Sequence, residues 1–120
     1  MFQAHIKKLV DSTEGGVAGL LMGYDGIAVE TYVVPDAAAP DMNTIGMEFS
    51  FLLTQVKKAA ESLELGAVNE VTIRTERLTV LMRAAGPDYF VALAIRAEGN
   101  FGKGRYLLRV VTPKLLAELA

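Results

Sequence analysis

The chain has no cysteine and a single histidine among its 120 residues. The lack of cysteine excludes disulfide bonds, thiol nucleophiles and cysteine-ligated zinc. Basic residues do not outnumber acidic ones, and a net charge of −2 argues against a nucleic-acid-binding protein, which usually has a basic face. No uninterrupted apolar run approaches the roughly 18 residues of a membrane span, and residues 1–11 are amphipathic, unlike a signal sequence. We therefore expect a cytoplasmic protein without membrane insertion.

Side chains that could carry out catalysis are also scarce. His5 has no cysteine or second histidine to accompany it as a general base or metal ligand, so we interpret it as a solvated surface residue. None of the serines lies in a G-x-S-x-G elbow, and no pair of carboxylates is evidently placed for acid–base work. The sequence therefore predicts no enzyme activity, no cofactor and no metal site.

Residues 99–105 are rich in glycine and basic residues, as phosphate-binding loops are. Gly102 and Lys103 fit the pattern G-x-x-x-x-G-K-[ST], but Ala97 replaces its first glycine and Gly104 its magnesium-binding hydroxyl. A flexible entry to the last helix explains this segment better than a weak anion site does. Basic residues are concentrated near the C-terminus, at Arg96, Lys103, Arg105, Arg109 and Lys114. The solvated side of an amphipathic helix explains them better than the steering of an acidic partner does.

Turn residues and hydrophobic periodicity divide the chain into eight elements without an interdomain linker. Asp25 and Gly26 predict a type I′ hairpin turn between the first two strands. We expect one α+β domain, residues 1–120, with five antiparallel strands in the order α-β-β-α-β-β-β-α. The predicted helices cover residues 1–11, 42–65 and 101–119, and the predicted strands cover residues 17–22, 27–34, 68–75, 78–84 and 89–95.

Boundary residues give further expectations for the two longer helices. Residues 35–40 form a predicted surface loop, after which Asp41 caps the long helix. Gly66 is the predicted C′ residue that ends it. In the last helix Pro113 must cause a kink or a restart, and Thr112 as N-cap favours a restart.

The long helix has more apolar residues than one buried face can use. Met47 and Phe51 lie about 150–200° from the stripe predicted to face the core, which is Ile45, Phe49, Leu52, Val56, Ala59 and Leu63. Either the last helix or a loop covers these two side chains, or they meet a second copy or a partner, which we favour. The small or polar neighbours Gly46, Ser50 and Thr54 would let a second helix approach closely. Lys57, Lys58 and Glu61 continue this side of the helix as a polar rim, as at many interfaces.

The order and spacing of these segments resemble the roadblock/dynein-light-chain family over nearly the whole chain. The resemblance is strongest in the hairpin sequence GLLMGYDGIAVE at residues 19–30, which is similar to the family's glycine, apolar run, Asp-Gly and second apolar run. The long helix, the NEVTIRT strand at residues 69–75, two further strands and the NFGK entry to the last helix follow. The standalone domain is most similar to the bacterial and archaeal members, including those of MglB type.

This resemblance implies a two- or three-layer roadblock fold, related to profilin and longin domains. It also implies a homodimer joined along the long helix and the first meander strand, with one sheet continuous across two chains. The positions implied for the dimer or partner interface lie on the helix and the strand: Gly46, Met47, Ser50, Phe51, Thr54 and Lys58, then Val68, Glu70, Thr72 and Arg74.

The resemblance further implies a function in protein binding. Members of the family bind small Ras-like GTPases or act as scaffold subunits of motors and signalling complexes. MglB-like members hold a GTPase on the paired long helices and reposition its own catalytic groups, without inserting an arginine finger. The chain is therefore expected to be a non-catalytic homodimeric regulator of a small Ras-like GTPase, or else a homodimeric scaffold that leaves GTP turnover unchanged.

Overall fold

Five antiparallel strands form one sheet with helices on both faces. The computed structural model describes residues 1–35 and 41–119, so the predicted loop beyond Pro35 lies outside the described residues. The predicted element order α-β-β-α-β-β-β-α is confirmed. The elements are α1 (Phe2–Asp11), β1 (Gly16–Gly23), β2 (Ala28–Val33), α2 (Met42–Ser62), β3 (Glu70–Arg74), β4 (Leu78–Ala85), β5 (Tyr89–Arg96) and α3 (Phe101–Leu119).

The strands lie in the order β2-β1-β5-β4-β3. The first hairpin and the later meander therefore join where β1 pairs with β5, with Leu20 opposite Ala92. The strand β5 is buried from Phe90 to Ile95 because it has strands on both sides and helices on both faces. The strands β2 and β3 are the two edges of the sheet.

Alternation along the strands separates two apolar cores. In β1, Leu21 faces α1 and α3, whereas Leu20 and Met22 face α2, as expected for side chains that alternate with a period of two. The core under α1 and α3 contains Ile6, Leu9, Val10, Leu21, Leu81, Val91, Leu93, Ile95, Leu108, Val111 and Leu115. The core under α2 contains Leu20, Met22, Met42, Leu53, Val80, Met82, Phe90, Ala92 and Ala94. The fold therefore has three layers.

The first hairpin turn differs from the type I′ turn that the sequence predicts. Gly26 has a φ of 86°, but Asp25 does not have a positive φ. The Gly26 N–H donates to the Gly23 carbonyl at 2.9 Å, and the Gly23 N–H donates to the Ile27 carbonyl at 3.0 Å. The prediction was wrong because three residues, not two, form the loop, and this loop length places only its last residue in the left-handed region.

The helix α2 begins as predicted and ends earlier. Asp41 accepts a hydrogen bond from the Asn43 N–H at 3.0 Å, which confirms its role as N-cap. At the other end Glu64 occupies the C′ position in the left-handed conformation, with a φ of 56°. Gly66 also has a positive φ but lies two residues further on. The Leu65 N–H donates to the Ala60 carbonyl at 2.9 Å, completing a Schellman motif. The prediction of Gly66 as C′ was wrong because the hydrogen bonds favour the glutamate despite its β-carbon.

The helix α3 continues through Pro113, so the predicted restart is wrong. The Thr112 hydroxyl donates to the Leu108 carbonyl at 2.7 Å and therefore does not act as an N-cap. Thr112 is buried whereas Pro113 is exposed, so the proline lies on the solvent side of the helix. On that side the carbonyl that loses its donor can bond to water instead.

Candidate functional site

The position of α2 on the sheet depends on a close approach at Gly46. A β-carbon on Gly46 would lie 2.8 Å from the Met22 sulfur and closer still to Leu20 Cδ2. Ser50 is buried one turn later, and its hydroxyl donates to the Met47 carbonyl at 2.8 Å. The small residues at these two positions therefore let α2 approach its own sheet. The prediction that they admit a second helix is corrected accordingly, because the space above them is occupied by the chain's own strands.

The buried face of α2 also differs from the predicted stripe. It comprises Met42, Gly46, Ser50, Leu53 and Ala60. The predicted stripe is displaced from this face by one residue, or about 100° around the helix. Leu52 is 41% exposed, and Leu63 and Ala59 are exposed as well, so these three are not core residues. The prediction failed because glycine and serine, which are not apolar side chains, occupy the centre of the buried face.

One flank of α2 lies next to the turn of the first hairpin. We call it the hairpin face and define it by Met47, Phe51, Thr54 and Lys58. Met47 is 58% exposed and Phe51 is 68% exposed. Gly26 in the turn lies beside Met47, since a β-carbon there would be 3.8 Å from Met47 Cγ. A groove of about 370 Å³ runs between the turn and this face. The structure confirms that Met47 and Phe51 are exposed.

Tyr24 anchors the hairpin turn beneath α2. The Lys57 ammonium lies 3.9 Å from the centre of its ring, and the Phe90 ring lies 5.5 Å away. Burial raises the pKa of the Tyr24 phenol. The phenolic oxygen is buried and has no hydrogen-bond partner within residues 1–35 and 41–119. Because packing holds this ring in place, the turn and the hairpin face keep a fixed relation.

The opposite flank of α2 is almost wholly apolar. We call it the strand face and define it by Ile45, Phe49, Leu52, Val56 and Leu63. Ile45 and Phe49 are half-buried against the cluster that Val71 and Ile73 of β3 also join. The spacing of three and four residues places Leu52, Val56 and Leu63 on the same flank. The strand face is therefore a partly exposed apolar surface that is continuous with the core under α2.

The strand β3 supplies an edge next to this surface. It pairs with β4, with Thr72 opposite Leu81, and no other described strand pairs with its second edge. Backbone N–H and C=O groups along such an edge are available to another strand. Thr72 and Arg74 are exposed, and Val68, just before the strand, is half-buried. The resemblance places all three in an interface, and their contact with another chain stays a prediction.

Glu70 links β3 to two other elements on the α3 side of the sheet. It accepts hydrogen bonds from Arg105 Nε at 2.6 Å and from Arg83 Nη1 at 3.3 Å. The hydrogen bond from Arg105 holds the pKa of the Glu70 carboxyl below its ordinary value, outweighing the opposite effect of burial. Arg74 stacks over Phe101, with its guanidinium carbon 4.5 Å from the ring centre. These contacts hold the edge strand in position against α3.

The ten predicted interface residues thus separate into three groups. Gly46 and Ser50 are interior to the chain, and Met47, Phe51, Thr54 and Lys58 form the hairpin face. The others belong to β3 and the residues just before it. Ile27 is 67% exposed beside the hairpin turn and is absent from the predicted set, because its apolar character suggests a buried strand residue.

The described residues give no indication of a metal site. They contain no group of three or more histidine or acidic side chains that could hold a metal. His5 lies 3.0 Å from Glu118 and links the start of α1 to the end of α3. None of the helices formed by residues 1–35 and 41–119 is long and apolar enough to cross a membrane.

Several solved structures are similar to this chain over almost its whole length. MglC from Myxococcus xanthus is 46% identical, with 96% of each chain covered and a TM-score of 0.70. A Roadblock/LC7 domain from Streptomyces avermitilis is 17% identical, with 98% of this chain and 96% of that chain covered and a TM-score of 0.84. An MglB structure with a tetrameric arrangement is 16% identical, with coverages of 95% and 84% and a TM-score of 0.87.

The three similarities support different statements. Those below 20% identity establish the shared fold alone, even though their TM-scores are the higher ones. The identity of 46% to MglC is high enough to establish a family relationship. A scan against protein-family models finds no match, and neither does a search of curated proteins.

Proposed function

The chain belongs to the roadblock/LC7 family, and we propose that it is a non-catalytic homodimeric regulator that binds a small Ras-like GTPase. The observation that supports this proposal most is the presence of two separate apolar flanks on α2. One flank continues toward an unpaired strand edge, and the other lies beside a hairpin turn. Two distinct surfaces on one helix suit two distinct protein contacts.

We assign self-association to the strand face together with β3. Pairing of two β3 edges would satisfy their backbone groups and extend the sheet across both copies. The same arrangement would bring the partly exposed Leu52 and Leu63 side chains of the two copies out of water. The relative MglB has a structure with a tetrameric arrangement, which supports self-association within this fold.

We assign partner binding to the hairpin face. Phe51 and Met47 form an exposed apolar centre, with Ile27 beyond the turn. Polar residues surround this centre in the groove, among them Asp25, Thr54, Gln55 and Lys58. An apolar centre with a polar rim is the usual anatomy of an interface between proteins that also exist separately. A small Ras-like GTPase is the partner that the family relationship favours.

A second candidate is a homodimeric scaffold with no effect on GTP turnover. Because identity to the MglB structure is 16%, this chain shares its fold, but the surface residues of MglB do not indicate the function of those of this chain. The closer sequence relationship, at 46%, is to MglC. The same two faces would then join subunits of a complex without altering the chemistry of a GTPase.

A turnover assay distinguishes the two candidates. GTP hydrolysis by the Ras-like GTPase encoded nearest in the same genome is measured alone, with this chain, and with its Phe51→Glu variant. The proposal predicts binding and a changed rate with the wild type, and neither with Phe51→Glu. Leu116→Glu serves as the control, because Leu116 is 40% exposed on α3, away from both faces of α2. Binding without a changed rate favours the scaffold, and no binding to several such GTPases contradicts the proposal.

A further inference from the structure

A groove runs along the outer surface between α1 and α3, on the face of the sheet opposite α2. It has a volume of about 370 Å³ and is lined from Ala4 to Ser12 on one side and from Leu107 to Lys114 on the other. Each side covers about two helical turns, or roughly 10–12 Å at 1.5 Å per residue. The groove is therefore elongated along the two helices.

The base of the groove is apolar and its sides are basic. Leu9 and Val111 are buried at its base, and Val110 is 39% exposed on one wall. Lys8 and Lys114 lie on opposite walls, and no described lining residue is acidic. The groove is therefore locally positive in a chain whose net charge is −2.

The acidic side chains nearest this region already have basic partners. Glu118 lies 3.0 Å from His5 Nε2, at the end of the groove. Asp11 lies 2.7 Å from the Lys7 ammonium, and Asp11 does not line the groove. Neither Lys8 nor Lys114 forms an ion pair with a described residue, so both ammonium groups are free to meet an anionic ligand.

We propose that this groove binds an acidic amphipathic helix of a partner protein. Apolar side chains of that helix would contact Leu9, Val110 and Val111, and its carboxylates would reach Lys8 and Lys114. An elongated apolar groove is the usual receptor for one face of an amphipathic helix. A membrane surface fits less well, because anionic lipids attract clusters of about four to eight basic residues, and here two lysines border a concave surface.

This surface lies on the opposite side of the sheet from α2. It does not overlap the strand face or the hairpin face, so a bound helix is compatible with both contacts assigned to α2. Binding in this groove requires neither self-association nor a GTPase. A chain with this third surface would connect a complex formed at α2 to a separate acidic segment.

The probe is a fluorescent synthetic helix in which leucines recur at every third or fourth position and glutamates occupy the exposed positions. A second peptide has the same leucines and lysines in place of the glutamates. Fluorescence anisotropy is expected to show saturable binding of the glutamate peptide alone. Amide chemical shifts in NMR spectra are expected to change along α1 and α3 and not along α2.

Matched variants locate the binding. Lys8→Glu combined with Lys114→Glu is expected to weaken binding at least tenfold. The control is Arg77→Glu with Arg96→Glu, which changes the charge equally and leaves binding unchanged. Both arginines are exposed outside the groove, Arg77 between β3 and β4 and Arg96 at the end of β5. Val110→Glu is expected to abolish binding, whereas Leu116→Glu, at nearly the same exposure on the same helix, preserves it. Circular dichroism identifies any variant that fails to fold. If a lysine variant does not fold, the comparison of Val110→Glu with Leu116→Glu tests the site, and the reverse holds if Val110→Glu does not fold.

Three results would overturn the inference. These are no saturable binding of the glutamate peptide, equal binding of both peptides, and binding that survives both groove variants. Binding of the wild type to phosphatidylserine vesicles, lost in the lysine variant, with no peptide binding, would assign the groove to a lipid surface instead. None of these results alters the proposed function, because no residue of α2 or β3 is changed.

Discussion

The two flanks of α2 both expose large apolar side chains, but the surroundings of these side chains differ. The strand face consists of five apolar residues and is half-buried in part. It lies toward β3, whose second edge pairs with no other described strand. The hairpin face has two large exposed side chains, Met47 and Phe51, among polar neighbours. Extended apolar surfaces are typical of permanent self-association, whereas a small apolar centre within a polar rim is typical of partners that separate.

The number of apolar residues on a helix therefore does not identify its contacts. The surroundings of each flank do so. On the strand face, the neighbouring backbone edge of β3 would add directional hydrogen bonds to an apolar contact with a second copy. On the hairpin face, Tyr24 and Lys57 hold a turn against the helix, so a partner bound there would contact two elements at once. Four substitutions test this separation, beginning with the largest expected effect.

Gly46→Leu should disrupt both faces together. Its side chain would overlap Leu20 and Met22, so α2 would have to move away from the sheet. We expect a loss of about 3 kcal/mol in the free energy of unfolding, the upper part of the range for overpacked cores. Chemical denaturation measures this loss.

Gly102→Leu is the matched control for this change. Gly102 is an exposed helical glycine, and a β-carbon added there would have Asn100 Oδ1, at 3.7 Å, as its nearest neighbour. Equal stability of the two leucine variants would contradict the role given to Gly46 in the close approach of α2.

Leu52→Glu should break self-association and leave the fold of the chain intact. Leu52 is 41% exposed, so the monomer tolerates a carboxylate there, but a dimer seam would bury two of them. We expect the dimer dissociation constant to rise at least about 100-fold. Sedimentation equilibrium measures the dissociation constant. An unchanged value would show that the strand face is not part of the dimer interface.

Much of the fold, but less of the surface, could be predicted from the sequence. Periodicity and turn residues identified all eight elements, and Asp41 marked the start of α2. The buried face of that helix was displaced by one residue, because Gly46 and Ser50 have no apolar side chains to signal burial. The burial of Gly46 depends on Leu20 and Met22, which are more than 20 residues distant in sequence, and a local pattern cannot reveal it.

Phe51→Glu should remove partner binding and preserve self-association. Phe51 is 68% exposed on the hairpin face, and the loss of a central aromatic residue commonly weakens binding by about 30-fold or more. Titration calorimetry with the GTPase measures this change. An equal loss of partner affinity in Leu116→Glu would show that the effect is not specific to this face.

Glu70→Gln should weaken the edge strand slightly and affect self-association more than partner binding. Because the folded-state pKa of Glu70 is lowered, its stabilising contribution is complete above the pH at which the unfolded carboxyl titrates. That contribution is lost as the pH falls through the folded-state pKa. We expect a small decrease in Tm at neutral pH that disappears on acidification, measured by calorimetry across that range. A difference that grows in acid would contradict this sign.

The most direct test of the separation between the two faces is the mass of three proteins in solution. Static light scattering compares the wild type, Leu52→Glu and Phe51→Glu at the same micromolar concentration, with circular dichroism to verify folding. Separate roles for the two faces predict a dimer for the wild type and for Phe51→Glu, and a folded monomer for Leu52→Glu. A monomeric wild type, or a dimer that Phe51→Glu dissociates and Leu52→Glu does not, would contradict it.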